Sequence, residues 1–273
     1  MILTGIIGDP ISHSLSPLMH FEAFKALKIK GAYVPFHVLP EELSNFMTLF
    51  KKWNFRGLNV TVPHKEAILK FCDTITKEAK AVNAVNTLII KNGKITGTNT
   101  DVYGYEKILR DSRFPTKGKR ACILGAGGAA RAVLQALYQL KIKVVFISNR
   151  TEEKALTLQK EFSHLSIRVV PWREDCLRDL LPEIDLLINA TSLGLKNKSD
   201  PFYLRLPTYL SSDSLVSDLV YRPQITPFLK VAQKRKLKIL TGEGMLLHQG
   251  ARAFELWTGK KAPLSAMKKA LGL

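Results

Sequence analysis

Cysteine is scarce in this chain of 273 residues. Cys72, Cys122 and Cys176 are odd in number and far apart, and no two of them form a C-x-x-C pair. The pattern gives no support to a disulfide framework or to a cysteine zinc site, so we expect three reduced thiols. The six histidines lack the H-x-x-x-H and H-E-x-x-H spacings that place two ligands on one helix face. We therefore predict no metal site.

Long apolar runs are also missing. No stretch approaches the roughly 18 consecutive apolar residues that a membrane helix needs. The start of the chain lacks a basic segment followed by a long apolar one, which is the pattern of a secretory signal. The composition, with 46% hydrophobic and 23% charged residues, is typical of globular proteins. We expect a soluble, cytoplasmic protein with no membrane partner.

Acidic residues are few relative to basic ones, 23 against 41, which gives a formal net charge of +18. Such an excess of positive charge can indicate that a protein binds nucleic acid or anionic lipid, or that it attracts anionic small molecules to a basic cleft. The basic residues stand in short scattered groups, such as 234–238 and 260–261, without interleaved aromatic residues or a known nucleic-acid-binding module. A solvated surface is therefore favoured, and we predict no nucleic-acid partner.

Strand and helix patterns alternate along the chain, which predicts an α/β fold with mostly parallel sheets and helices on both faces. Pro63 is predicted to open a helix, and the turn at 91–93 predicts a hairpin. The predicted strands are 2–7, 32–36, 57–62, 85–90, 94–97, 120–124, 144–148, 167–170, 186–189, 215–219 and 238–241. The predicted helices include 18–27, 43–53, 103–111, 132–140, 228–236 and the segment from 246 onward.

A glycine-rich turn follows the strand at 120–124. Its residues, which match the G-x-G-x-x-G/A dinucleotide fingerprint between a strand and a helix, are Gly125, Ala126, Gly127, Gly128, Ala129 and Ala130. Gly125 would permit the tight turn, Gly127 would let a pyrophosphate approach the backbone, and Ala130 would allow close helix packing. Free N–H groups at the helix start would bind the phosphates. A glycine turn without a ligand is the alternative, and the strand-turn-helix context disfavours it.

The next strand ends in Asn149-Arg150-Thr151, where NAD-specific sites place an acidic residue for the ribose 2′-OH. Arg150 can grip a 2′-phosphate with its forked guanidinium, Thr151 can donate a hydroxyl, and Lys154 adds charge one turn on. Together with the glycine turn, these residues favour NADP over NAD. We predict a Rossmann-type NADP-binding domain at 102–241 and a substrate domain formed by 1–101 plus 242–273, with the C-terminal helix packing back on the latter.

Polar side chains of the first half gather near predicted strand ends, where ligands bind in open parallel sheets. They are Ser14, Ser16, Thr61, Lys65, Asn86 and Asp101. Each one alone has an ordinary alternative as a helix cap, a turn former or a solvated helix residue. Taken singly, none of them indicates a function.

In combination, the motifs resemble the shikimate dehydrogenase family over nearly the whole chain. The matching segments are Ser12-His13-Ser14-Leu15-Ser16-Pro17, Asn59-Val60-Thr61-Val62-Pro63-His64-Lys65, Ala84-Val85-Asn86-Thr87, Asn99-Thr100-Asp101 with Gly104, Gly125 to Ala129, Asn149-Arg150-Thr151, Asn189-Ala190-Thr191-Ser192 with Gly194, and Gly242-Glu243-Gly244-Met245-Leu246 with Gln249-Gly250. The family commonly has Gly where this chain has Asn83, a departure that leaves the assignment unchanged.

The resemblance implies reversible, NADPH-dependent reduction of 3-dehydroshikimate to shikimate in aromatic amino-acid biosynthesis. It implies that Ser14 and Ser16 hold the substrate carboxylate, with Tyr221 close by. The residues implied for the ring hydroxyls are Thr61, Lys65, Asn86, Asp101 and Gln249. Those implied for the cofactor cleft are Asn189, Ala190 and Thr191, with Leu219, Gly242 and Met245 near the nicotinamide. The small-molecule substrate is the implied partner, and the chain is expected to be a monomer or a homodimer.

Lys65 and Asp101 are the predicted catalytic pair. As hydride reaches the keto carbon, negative charge develops on its oxygen, and an ammonium within hydrogen-bond reach can stabilise that charge and give up a proton. Asp101 would orient Lys65, and the sequence leaves open which of the two carries the proton.

Three alternatives remain. A hydrolase would use a serine with His13, but the sequence has no G-x-S-x-G elbow. A nucleic-acid-binding function would depend on charge alone, and it predicts a steep salt dependence of binding. A paralogue that oxidises quinate or uses NAD shares much of the sequence pattern. Arg150 argues against the use of NAD, whereas Ser14 and Ser16 are only a weak argument against quinate as the substrate.

Overall fold

The computed structural model describes residues 1–195 and 200–273. The chain divides into two compact units, the first formed by Met1–Gly104 and Leu246–Leu273 and the second by Tyr105–Met245. The structure divides the chain after Gly104 and after Met245, each time within a helix. The domain boundaries predicted at residues 101 and 242 lie in the same two helices. In the described part of the chain, no helix is both long and apolar enough to cross a membrane.

Twelve strands are present in the described residues. They are β1 (Ile2–Gly8), β2 (Gly31–His37), β3 (Gly57–Val60), β4 (Thr74–Ile75), β5 (Thr87–Lys91), β6 (Lys94–Thr98), β7 (Arg120–Leu124), β8 (Val144–Ser148), β9 (Ile167–Val169), β10 (Leu186–Asn189), β11 (Leu215–Asp218) and β12 (Lys238–Leu240).

Eleven α-helices accompany them in the same residues. They are α1 (Ser16–Ala26), α2 (Leu43–Phe50), α3 (Lys77–Val82), α4 (Asp101–Asp111), α5 (Gly128–Gln139), α6 (Glu152–Glu161), α7 (Glu174–Leu180), α8 (Pro201–Arg205), α9 (Pro227–Lys234), α10 (Gly242–Thr258) and α11 (Leu264–Leu271).

The sheet of the first unit has the order β2-β1-β3-β5-β6-β4. Strand β1 pairs in parallel with β2 and β3, whereas β5 runs antiparallel to both β3 and β6. The predicted hairpin at 91–93 therefore joins β5 to β6, and Asn92 and Gly93 adopt the positive φ values that its tight turn requires. This arrangement brings the ends of β1, β3 and β6 and the start of β5 to one edge of the sheet.

The sheet of the second unit is entirely parallel, in the order β12-β11-β10-β7-β8-β9. Numbered within the unit, this is the 3-2-1-4-5-6 order of doubly wound dinucleotide-binding folds. The order reverses between β7 and β10, so the crevice at which such folds bind ligands lies beyond the ends of these two strands.

Helices α1, α10 and α11 cover one face of the first sheet. Met19, Phe254 and Met267, one from each helix, belong to the same buried cluster, which confirms that the C-terminal helix packs on the first unit. The indole Nε1 of Trp257 donates to the Leu88 carbonyl at 2.9 Å, and a Cβ on Gly57 would lie 1.9 Å from that nitrogen. Gly57 thus lets α10 approach the strands closely.

The prediction that a helix begins at Pro63 is wrong. Residues 62–66 form turns, and a short 3-10 helix follows at Ala67–Phe71. The carbonyl of Lys65, which the amide of residue 69 would use in an α-helix, accepts instead from the Val85 amide at 2.8 Å, and the Leu69 amide bonds to Glu66. The long-range hydrogen bond from Val85 therefore uses the Lys65 carbonyl, which an α-helix would need as an acceptor. The helix α6 and the short elements β4, α3, α7 and α8 were not predicted.

His20 of α1 is fully buried in the aromatic core of the first unit. Its ring stacks on Tyr33 with a centroid separation of 4.3 Å and lies 5.4 Å from the Trp257 ring. Neither ring nitrogen has a hydrogen-bond partner among the described residues. Burial without a partner disfavours the charged imidazolium and lowers the pKa of His20 to about 3.

We predict that His20 makes the fold sensitive to acid. A histidine whose pKa is lowered in the folded state contributes stability above its unfolded pKa of 6.5, and that stability is lost as pH falls. Between pH 8 and pH 5 this group should reduce the free energy of unfolding by about 2 kcal/mol. The His20→Phe variant keeps a ring in the stack and should lack this part of the decline, as measured by urea unfolding at the two pH values.

The matched control is His164→Phe, which replaces an exposed histidine. It should retain the pH dependence of the wild-type protein. Equal acid sensitivity in His20→Phe and wild type would contradict the prediction.

Candidate active site

One edge of the first sheet collects the polar residues predicted for the substrate. Ser14 and Thr61 follow the parallel strands β1 and β3, and Asp101 follows β6. Asn86 was predicted to lie near a strand end, but it directly precedes β5. It reaches the same edge because β5 runs antiparallel to its neighbours.

Lys65 and Asp101 form a largely buried ion pair at this edge. The Nζ of Lys65 lies 2.7 Å from Oδ2 of Asp101, and their side chains are 13% and 7% exposed. Asp101 begins α4, where the Asn99 side chain accepts from the amides of Asp101 at 3.0 Å and Val102 at 3.3 Å. Because the Lys65 carbonyl also binds the Val85 amide, the backbone holds both partners in place.

Asn86 is the centre of a buried hydrogen-bond network. Its Oδ1 accepts from the Thr100 amide at 2.7 Å and from the Thr87 hydroxyl at 2.9 Å. Its Nδ2 donates to the Thr100 hydroxyl at 3.0 Å and to Oε1 of Gln249 at 3.4 Å. The network joins Gln249 of α10 to the strand ends, so two residues far apart in sequence become neighbours.

Ser14, Ser16 and Thr61 lie on the loops after β1 and β3. The Ser14 hydroxyl accepts from the Ser16 amide at 3.3 Å, and Ser16 is the first residue of α1. The Thr61 amide donates to the Ile7 carbonyl at 2.9 Å, and a Cβ on Gly8 would lie 2.4 Å from Cγ2 of Thr61. The absence of a side chain at Gly8 thus allows the two loops to approach each other.

The glycine turn of the second unit combines a left-handed backbone conformation with open space above it. Gly125 has φ +109°, a conformation that favours glycine. A Cβ on Gly127 would meet nothing within 4 Å, so space is open above the backbone. Helix α5 begins at Gly128 without a side-chain cap or an acidic residue in its first turn. Its free amides fit the pyrophosphate of the predicted cofactor.

Arg150 and Thr151 are exposed just after β8, and Lys154 is exposed in the first turn of α6. The Asn149 side chain donates to the Thr151 carbonyl at 2.7 Å, which shapes the loop. Neither cation forms an ion pair with a carboxylate in the described residues. Both charges therefore remain available to a phosphate, as the NADP prediction requires.

The loop after β10 packs against the glycine turn. Ala190 and Thr191 each lie 3.0 Å from the position that a Cβ on Gly125 would occupy. Oδ1 of Asn189 accepts from the Thr191 amide at 3.0 Å and from its hydroxyl at 2.7 Å. The predicted residues of the cofactor cleft thus come together at the point where the strand order reverses.

Leu219, Tyr221, Gly242 and Met245 all belong to the second unit. A Cβ on Gly242 would lie 2.5 Å from the Leu219 carbonyl oxygen, so the turn after β11 abuts the start of α10. Tyr221 follows the same turn, and burial raises the pKa of its phenol. Its part in binding the substrate carboxylate stays a prediction.

Asp218 is a buried residue of this region that sequence reasoning missed. It ends β11 and is 0% exposed. Its Oδ1 accepts from the Asn189 side chain at 2.8 Å and from the Val220 amide at 3.0 Å, and its Oδ2 accepts from the Thr226 hydroxyl at 2.6 Å. Burial raises the pKa of Asp218 to about 6. In the sequence, the feature that could have pointed to it is an acidic residue at the end of the apolar strand Leu215–Asp218.

Family models of the shikimate dehydrogenases match three segments of the chain. The shikimate dehydrogenase substrate binding domain matches residues 6–88, shikimate / quinate 5-dehydrogenase matches 108–195, and the shikimate 5'-dehydrogenase C-terminal domain matches 242–271. The shikimate dehydrogenase (NADP(+)) of Desulforamulus reducens is 41% identical over 276 residues, which cover 98% of this chain and 93% of that protein. The chain belongs to the shikimate dehydrogenase family.

Solved structures agree with this assignment. The shikimate 5-dehydrogenase of Thermus thermophilus, in complex with NADP(H) and shikimate, is 38% identical with a TM-score of 0.88, and the match covers 100% of this chain and 99% of that one. A quinate dehydrogenase from Corynebacterium glutamicum, in complex with NAD, is 28% identical with a TM-score of 0.90, and the match covers 100% and 99%. The predicted family and the predicted α/β fold are confirmed.

Proposed function

We propose that this shikimate dehydrogenase family member reduces 3-dehydroshikimate to shikimate, reversibly, with NADPH as the reductant. The oxidoreductase activity and the cofactor agree with the curated relatives, which are named shikimate dehydrogenase (NADP(+)). The observation that carries the proposal is the buried Lys65–Asp101 pair, 2.7 Å apart, at the polar edge of the unit whose sequence matches the substrate binding domain.

The substrate is a ring that carries a carboxylate and several hydroxyls, and the edge of the first sheet offers complementary groups. Ser14 and Ser16 bind the carboxylate in this proposal. The ring hydroxyls contact a second set of side chains: Thr61, Lys65, Asn86, Asp101 and Gln249. The hydrogen bonds within this set hold the polar atoms in position before substrate binds, which lowers the entropy lost on binding.

Lys65 and Asp101 perform the proton transfer in this proposal. NADPH, when bound, supplies the hydride that adds to the keto carbon. The carbonyl electron pair then moves onto oxygen, and the Lys65 ammonium stabilises that charge and donates a proton to give the hydroxyl. Asp101 orients the ammonium, because its Oδ2 accepts a hydrogen bond from Nζ of Lys65 at 2.7 Å. In the reverse direction the pair accepts the hydroxyl proton.

The second unit binds the cofactor in this proposal. The residues that receive the pyrophosphate are Gly125, Ala126, Gly127, Gly128 and Ala129, and those that recognise the 2′-phosphate end are Asn149, Arg150, Thr151 and Lys154. Thr191 lines the cofactor cleft, and Leu219, Gly242 and Met245 lie near the nicotinamide. A cytoplasmic location and a monomeric or homodimeric state stay predictions.

A quinate/shikimate dehydrogenase with broader substrate or cofactor use is the second candidate. The fold match to the quinate dehydrogenase favours it, although that protein is 28% identical against 41% for the Desulforamulus shikimate dehydrogenase. The exposed Arg150 argues against NAD, because the cation fits a 2′-phosphate and replaces the acidic residue of NAD sites.

Shikimate and quinate, each offered with NADP or NAD, should separate the two candidates. We expect the highest kcat/KM for shikimate with NADP, measured by the change in nicotinamide absorbance. Absence of turnover with shikimate would overturn the proposal, and comparable efficiency with quinate or NAD would favour the second candidate.

Lys65→Ala should lower kcat by about 10²- to 10⁴-fold, because the variant loses the proton donor, while substrate binding stays largely intact because the other residues proposed for the carboxylate and the ring hydroxyls remain. Steady-state kinetics and substrate titration measure the two effects separately. The control is Lys80→Ala, which removes an exposed lysine of α3 and should leave kcat unchanged. A near-normal kcat for Lys65→Ala would remove this lysine from the chemistry.

Arg150→Ala should weaken NADP binding by about 10-fold or more, because it loses a charge-assisted contact to the 2′-phosphate. Binding of NAD, which lacks that phosphate, should change little. Arg178→Ala, which removes an exposed arginine on α7 of the same unit, is the control. An unchanged ratio of NADP to NAD affinity in Arg150→Ala would contradict the assignment.

A further inference from the structure

Asp218 joins three segments of the second unit through one carboxylate. It binds the loop after β10 through Asn189, the turn after β11 through the Val220 amide, and the start of α9 through Thr226. No other acidic residue in the described part of this unit is both fully buried and bonded to three separate segments. The loops that it joins contain Thr191, predicted for the cofactor cleft, and Leu219, predicted near the nicotinamide, whereas Asp218 itself was not among the predicted site residues.

We propose that Asp218 is a positioning residue that fixes the loops receiving the nicotinamide half of NADP and leaves the binding of the adenine half unaffected. The inference depends on the proposed cofactor site in the second unit. Asp218 acts through Asn189 and Val220 and is not itself a contact of the cofactor.

The first connection runs from Asp218 to the glycine turn. Asp218 holds Nδ2 of Asn189, and Oδ1 of Asn189 in turn holds the amide and hydroxyl of Thr191. Thr191 and Ala190 lie against Gly125 at 3.0 Å from its missing Cβ. Rotation of the Asn189 side chain would therefore displace the loop that forms one wall of the turn.

The second connection runs to the turn after β11. The Val220 amide, held by Asp218 at 3.0 Å, sets the direction of the Leu219 carbonyl, which in turn abuts Gly242. Leu219 and Gly242 are two of the residues proposed for the nicotinamide half. Arg150, Thr151 and Lys154 follow β8, and no hydrogen bond of Asp218 reaches that loop in the described residues.

The Asp218→Ala variant removes all three contacts, whereas Asp218→Asn keeps the shape of the side chain and the two contacts through which Asp218 acts. The amide oxygen of asparagine can accept from Asn189 and Val220, and its NH₂ can donate to the Thr226 hydroxyl, which has a second lone pair beside the one that accepts from the Leu229 amide at 3.2 Å. Burying an ionised carboxylate lowers stability at neutral pH, as the raised pKa of Asp218 indicates. We therefore expect both neutral variants to remain folded, and binding of the adenine half of the cofactor checks this.

Titration calorimetry with two probes tests the inference: NADP⁺, and adenosine 2′,5′-bisphosphate, which carries only the adenine half. We expect Asp218→Ala to raise the Kd for NADP⁺ about 10-fold or more and to change the Kd for the bisphosphate less than about twofold, since only the first ligand reaches the positioned loops. Thr226→Val should act in the same direction, and Thr226→Ser, which keeps the hydroxyl, should restore wild-type affinity. Asp218→Asn, which keeps an acceptor for Asn189 and Val220, should bind NADP⁺ nearly as the wild type does.

The matched control is Asp185→Ala. Asp185 precedes β10 at the opposite edge of the same sheet, where it accepts from Nζ of Lys119 at 2.7 Å and from the Arg120 amide at 2.8 Å. Its variant should bind both probes as the wild type does. Unchanged NADP⁺ affinity in Asp218→Ala, or equal weakening of both probes, would overturn the positioning role. Failure of the wild-type protein to bind NADP⁺ would overturn the proposed function and, with it, this inference.

Discussion

The ion pair between Lys65 and Asp101 is the interaction on which the arrangement of the first unit depends. Two charges that are almost excluded from water destabilise a fold unless they stay paired and hydrogen-bonded. The hydrogen bond from Nζ of Lys65 to Oδ2 of Asp101 meets this requirement. The backbone of each partner is held by a further bond, because the Asn99 side chain caps α4 at Asp101 and the Val85 amide binds the Lys65 carbonyl. The same restraints aim the ammonium at the polar edge of the sheet, so the groups that stabilise the pair also prepare it for proton transfer.

The two units place their chemistry by the same geometric rule. In the parallel sheet of the second unit, the reversal of strand order between β7 and β10 opens a crevice beside the glycine turn. In the mixed sheet of the first unit, the antiparallel β5 returns Asn86 to the edge where β1 and β3 end. Buried polar side chains then fix the loops at each edge: Asn86 in the first unit and Asp218 in the second. Both make hydrogen bonds that connect segments distant in sequence.

Much of this could be predicted from the sequence, and the failures have physical causes. The strand at 186–189 and the hairpin at 91–93 follow from local apolar pattern and turn chemistry, so they were predicted at or near their observed places. The helix after Pro63 failed because Val85, twenty residues on in sequence, takes the carbonyl that the helix would need. Asp218 was missed because a single aspartate at the end of an apolar strand is a weak signal by itself. Its importance depends on Asn189 and Thr226, which only folding brings to it.

The sequence by itself determined the alternation of strands and helices, the glycine turn, the cationic loop at Arg150 and the motifs of the family, because each of these is a property of residues close together in the chain. Only the tertiary structure decided the direction of β5, the contact between Lys65 and Asp101, the link from Asn86 to Gln249 and the place of Asp218. These features depend on strand pairing and burial between distant segments. Local pattern specifies the elements, whereas long-range hydrogen bonds specify which of their ends meet.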